Sequence, residues 1–94
     1  MKNLIGLEKW YQDQCNGDWE HHFGIKIETI DNPGWSISID TIDTNNILDD
    51  SDWKYFEESQ DDWYGYKITE GKFEGAGDPS KLNKLIAIFI ELND

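Results

Sequence analysis

Arginine is absent from this chain: all eight basic residues are lysines, set against 20 acids, for a formal net charge of −12 over 94 residues. Phosphate recognition uses a basic surface and favours the arginine fork, so this balance argues against direct nucleic-acid binding. An anionic membrane surface would repel the chain for the same reason, and a basic partner is its natural complement. Cysteine occurs once, at Cys15, which excludes an internal disulfide and fits a reducing compartment. The longest apolar run, Leu85 to Ile90, falls far short of the ~20 residues that span a bilayer. No long apolar stretch follows Met1-Lys2, so no signal peptide is visible, and a cytoplasmic protein is expected. Histidine is confined to the adjacent pair His21-His22.

What is present is aromatic and acidic. Five Trp, four Tyr and four Phe supply an efficient core for one short domain, 1–94, since each aromatic ring buries about 150–250 Å². The acids are uneven. Between Asp40 and Asp62 stand nine acids (Asp40, Asp43, Asp49, Asp50, Asp52, Glu57, Glu58, Asp61, Asp62) against the single Lys54. Trp53, Tyr55, Phe56, Trp63, Tyr64 and Tyr66 lie in or beside this window, so it is not a disordered acidic tail. Solubility alone does not call for such clustering.

Leu4, Leu7, Tyr11 and Cys15 recur at helical spacing, predicting an amphipathic helix from Leu4 to Gln14 that Asn16-Gly17 ends, with Cys15 as a small buried hydrophobe near its apolar face. Phe23, Ile25 and Ile27, then Trp35, Ile37 and Ile39, alternate with polar residues. They predict a hairpin around Asp31-Asn32-Pro33-Gly34, with Pro33 presetting φ and Gly34 accepting positive φ. Thr41 to Asp52 reads as an acidic loop. Trp53–Ser59 and Trp63–Thr69 form a second hairpin, and Lys72–Glu74 is a short extended piece. Asp78 as N-cap and Pro79 at the first position open a C-terminal helix with Leu82, Leu85, Ile86 and Phe89 on its buried stripe. The expected fold is α+β: an antiparallel sheet of four or more strands, with N-terminal and C-terminal helices packed on one face.

No catalytic constellation assembles. Adjacent histidines in extended chain point to opposite faces, and with one thiol they fall short of the known zinc patterns. Asp49-Asp50-Ser51-Asp52 fails the calcium-loop pattern, because the sixth position is Lys54 and the twelfth is Gln60. Cys15 at a helix C-terminus is in the wrong field for a thiolate nucleophile. A small metal- or thiol-dependent enzyme centred on Cys15, His21 and His22 therefore stands as the alternative to a binder, alongside an acidic scaffold subunit. The expectation is no enzyme, no cofactor and no metal. Of the tryptophans, Trp10, Trp35 and one of Trp53 or Trp63 are expected in the core. Exposed Trp and Tyr among acids have the make-up of an interface hot spot.

Several elements carry a family resemblance: Lys9-Trp10-Tyr11, Gln14-Cys15, Gly17-Asp18-Trp19-Glu20-His21, Gly24 through Thr29, Asp31-Asn32-Pro33-Gly34-Trp35, Asp62-Trp63, Lys72-Phe73-Glu74-Gly75-Ala76-Gly77 and the apolar C-terminal helix. In these the chain resembles the bacterial immunity protein 53 family of polymorphic toxin systems over nearly its whole length, with the stretch from Thr41 to Ser59 fitting least. The resemblance implies an α+β immunity protein that binds and neutralises a cognate toxin C-terminal domain. Toxins of such systems are often nucleases, whose substrate surfaces are basic, and an acidic inhibitor complements them. The expected partner-binding residues are Asp43, Asp49, Asp50, Asp52, Glu57, Glu58, Asp61 and Asp62 for charge, with Trp53, Tyr55, Trp63 and Tyr64 as anchors. Asp18, Trp19, Glu20, His21, Pro33, Gly34 and Trp35 form the family signature, and the oligomeric state stays open.

Overall fold

A computed structural model describes residues 2–93; Met1 and Asp94 of the expected 1–94 domain lie outside the described residues. Three helices, α1 (Lys2–Gln14), α2 (Trp19–His22) and α3 (Leu82–Asn93), accompany five strands: β1 (Ile25–Ile30), β2 (Gly34–Asp40), β3 (Ser51–Ser59), β4 (Asp62–Thr69) and β5 (Lys72–Gly77). The sheet is antiparallel in the order β1-β2-β5-β4-β3. Both predicted hairpins form, and Ile25 pairs with Ile39 and Ile27 with Ile37, on one face. The fold is the expected α+β, and the helices share that face.

The short extended piece at Lys72–Glu74 is in fact the central strand β5, reaching Gly77 between β2 and β4. Its apolar alternation is hidden because two inward positions are glycines. Gly75 is inward for a steric reason: a Cβ there would stand 3.0 Å from Leu85 Cδ2 and 3.2 Å from Ile37 Cγ2, so α3 seats directly on the strand. Around this contact Ile37, Ile39, Ile68, Phe73, Leu85, Ile86 and Phe89 are buried, joined by Leu7 of α1 and Leu48 of the loop.

An aromatic series links the layers. Phe73 meets Phe89 at 5.5 Å, Phe89 meets Trp10 edge-on at 5.0 Å, and Trp10 meets Trp19 edge-on at 5.8 Å. Such edge contacts match the ring quadrupoles. Trp19 is the buried tryptophan, 2 % exposed, and its Nε1–H donates to the Ile42 carbonyl at 2.9 Å. Trp10 and Trp35, expected in the core, are only half-buried, Trp35 donating to the Pro79 carbonyl. Sequence periodicity misses Trp19 because it stands on one helical turn that shows no repeat. Trp19→Phe keeps a ring but strands the Ile42 carbonyl, so unfolding stability is expected to fall by about 1–3 kcal/mol, read from the midpoint of a denaturant titration with an unchanged slope.

Two turns depart from expectation. The Asn32–Pro33 peptide is cis, and Gly34 opens β2 without positive φ; it is glycine because a Cβ would fall on the Gly77 carbonyl oxygen. The C-terminal helix starts at Leu82 rather than Pro79, since Asp78 caps a preceding turn, with Lys81 N–H donating to its carbonyl. Gly17, with φ +90°, ends the first helix segment as expected.

Candidate binding surface

The signature segment after α1 is a built turn rather than an extended strand. Asn16 Oδ1 accepts the N–H groups of Asp18 and Trp19, both at 3.0 Å, and starts α2. The Glu20 carboxylate reaches back to the N–H groups of Asn16 (2.9 Å) and Gly17 (2.8 Å). Its own N–H first, then these two and the neighbouring His21, hold the Glu20 carboxyl below the usual carboxylate range against partial desolvation. His21 and His22 are both exposed on this one helical turn. His22 stands 3.6 Å from Asp18. Cys15 is exposed rather than buried, its thiol donating to the Tyr11 carbonyl at 3.3 Å. Among the described residues no three His, Cys, Asp or Glu side chains converge as metal ligands. Trp19 and Glu20 thus hold the scaffold, and Pro33, Gly34 and Trp35 shape the first hairpin.

The acidic aromatic stretch is spread along the edge strand β3, whose nine residues cover roughly 30 Å. Asp49, Asp50 and Asp52 lie at one end and Asp61 and Asp62 at the other, so the expected charge patch is two groups with aromatics between them. Not every acid is free. Asp50 accepts the Glu70 N–H at 2.8 Å, and Asp62 accepts Lys81 Nζ at 2.6 Å. Asp43 sits in the loop with φ 60°. Asp49, Asp52, Glu58 and Asp61 are exposed.

Strand alternation divides the four aromatic candidates. Tyr64 belongs to the helical side, stacked on Phe56 at 4.9 Å with Lys84 Nζ 5.4 Å above its ring. Trp53, Tyr55 and Trp63 stand on the opposite, open face as a ladder with ring centroids 6.3 and 6.2 Å apart. Trp53 lies flat across Gly65, where a Cβ would come within 2.5 Å of its ring. The Tyr55 hydroxyl donates to Glu57 Oε1 at 3.2 Å. Partial desolvation, then the Glu57 charge, push the phenol above its ordinary range and keep that proton in place.

Beside the ladder runs an open trough of ≈ 430 Å³ floored by Ser36, Ser38 and Ala76. The three lysines of this face are each held by a carboxylate: Lys26 by Glu28 at 3.3 Å, Lys67 by Glu74 and Lys72 by Asp40, both at 3.8 Å. Sequence reasoning missed the trough. The sequence signal nearest to it is Gly65 between two tyrosines, the seat of Trp53 beside the trough, since a glycine inside a strand marks close approach.

Behind this surface, the buried carboxylate of Asp78 joins the second hairpin to α3. It accepts the Trp63 N–H, the Ser80 N–H and Lys81 Nζ, each at 2.8 Å, and the Ser80 hydroxyl at 2.6 Å. Burial alone would raise its pKa; the Lys81 and Ser80 side chains and the two N–H donors outweigh it and hold the carboxyl far below the usual range. Lys81 is raised in turn, by Asp62 first and Asp78 second, against desolvation.

Fold and surface define a small α+β module with one face of its sheet covered by helices and the other open. A family model described as Immunity protein 53 matches residues 4–94, and the chain belongs to that family. No curated protein and no solved structure matches it. Membership supports an immunity function, implies a toxin as partner and suggests a non-enzymatic role. No helix among the described residues is long and apolar enough to cross a membrane.

Proposed function

We propose that the protein is a stoichiometric inhibitor, acting in the bacterial cytoplasm as one domain, that binds the C-terminal domain of a cognate polymorphic toxin and covers a basic, nuclease-type surface. The observation that carries this reading is the run of exposed acids bracketing an exposed aromatic ladder on β3. Long-range attraction from Asp43, Asp49, Asp50, Asp52, Glu57, Glu58, Asp61 and Asp62 would speed encounter, and ring packing would set the lifetime of the complex. Rings anchor and carboxylates orient, so no bound cofactor, metal, nucleic acid or membrane is needed. The test is co-expression of the chain with the C-terminal domain encoded by the adjacent toxin gene. Protection of the cells with co-purification of both chains is expected; loss of viability despite abundant folded protein contradicts the reading.

A further inference from the structure

We propose that the toxin docks on the open face of the sheet, and that this face receives a basic side chain of the toxin, an arginine or lysine laid on the Trp53 and Tyr55 rings above the trough. The inference rests on the immunity reading and specifies the surface that serves it. The two faces of the sheet are not equivalent. Ile37, Phe73 and Gly75 on one side are covered by α3, with α1 against it. On the other side Trp53 and Tyr55 remain 49 % and 48 % exposed. Exposed aromatic surface of this kind has no role in the core and marks an interaction site.

The ladder is also held before any partner arrives. Trp53 rests on Gly65, and Tyr55 is packed between Trp53 and Trp63 and tied to Glu57. Fewer side-chain rotamers are therefore frozen on binding, which lowers the entropic cost.

Charge selects the occupant. Among the described residues, Lys26 and Lys72, which line the trough, and Lys67 beside it each stand within salt-bridge range of a carboxylate, so their charges are offset locally. Glu57, beside the rings, has no lysine within salt-bridge range among the described side chains. Ring faces next to an un-neutralised carboxylate suit a guanidinium or ammonium group, by cation–π attraction and a charge-assisted hydrogen bond together. The small floor of Ser36, Ser38 and Ala76 leaves room for that side chain. Asp49 and Asp52 at one end of β3, with Glu58 and Asp61 at the other, supply the polar rim that surrounds an aromatic interface centre.

Hydroxyl-radical footprinting of the purified complex with the toxin domain, read by mass spectrometry, tests the assignment. Oxidation of Trp53 and Tyr55 is expected to drop several-fold in the complex. Tyr11 and Phe56, exposed at 40 % and 47 % on the helical side, should not change. Trp53→Ala with Tyr55→Ala is expected to raise Kd by about 30-fold or more, as for hot-spot aromatics. Ser38→Arg, which leaves the ladder intact and fills the trough with a cation, should weaken binding as well. A complex that protects Tyr11 and Phe56 but leaves Trp53 and Tyr55 reactive overturns the docking face alone, as do unchanged affinities of both variants. Failure of the wild-type protein to form any complex overturns the immunity reading itself, and the docking face with it.

Discussion

Asp78→Ala is expected to be the most damaging single polar substitution in the chain. It removes a carboxylate that satisfies four donors from Trp63, Ser80 and Lys81, and it leaves the Lys81 ammonium with one carboxylate, Asp62, and the Ser80 hydroxyl. Hydrogen bonds to a charged group are worth about 1.5–3 kcal/mol each when one partner is lost. Lys81 keeps partial access to water, so the sum is not additive, and a net loss of about 2–3 kcal/mol is expected. For a domain of this size that lowers Tm by on the order of 10–20 °C. The effect should also depend on pH. The folded carboxyl is depressed below its unfolded value, so its contribution is complete above about pH 5 and is lost as pH falls through the ordinary carboxylate range near 4 and below. Asp78→Asn provides the reference: between pH 6 and pH 3 the wild-type protein is expected to lose more stability than this variant. Parallel curves would show that Asp78 is not a source of acid sensitivity.

Neutralising Asp49, Asp52, Glu58 and Asp61 together, as Asn or Gln, is expected to slow association with the toxin domain by about tenfold at low ionic strength. These four are the acids to change, because their carboxylates are exposed and serve no internal hydrogen bond among the described residues, unlike Asp50 and Asp62. Folded stability should therefore stay the same or rise slightly as repulsion is relieved. The difference should shrink as salt is added, since the screening length is already about 10 Å at 0.1 M. The dissociation rate, governed by packing at the rings, should change much less. Stopped-flow association across a salt series separates these effects. An association rate equal to that of the wild-type protein at low salt would remove electrostatic steering from the mechanism.

The parts of this fold that were readable in the sequence are those where one side chain decides the outcome. Ile25, Ile27, Ile37 and Ile39 alternate cleanly and pair as their pattern implies. Leu85, Ile86 and Phe89 repeat at helical spacing and are buried. The parts that were not readable are those where shape is set across long separations. β5 looks weak because Gly75 and Gly77 show no apolar signal, yet closeness to α3 requires glycine at Gly75 and closeness to Lys81 requires it at Gly77. Trp19 is buried through partners on α1 and on the loop at Ile42, and no local pattern reports that. The same holds for the surface. Acids and aromatics between Asp40 and Tyr66 were visible as composition, but alternation along β3 and β4 puts Tyr64 on the helical side and Trp53, Tyr55 and Trp63 on the open one. The trough needs β1, β2 and β5 side by side with Trp53 of β3 beside them, which no single segment encodes.

The inhibitor reading is tested most directly by titrating the protein into the isolated toxin domain and following the toxin's activity. At toxin concentrations well above Kd, inhibition is expected to rise linearly and to be complete at one equivalent, with the same end point in the Cys15→Ala, His21→Ala, His22→Ala triple variant. Complete inhibition at a small fraction of an equivalent, abolished in that variant, would instead identify a catalytic activity centred on those three residues.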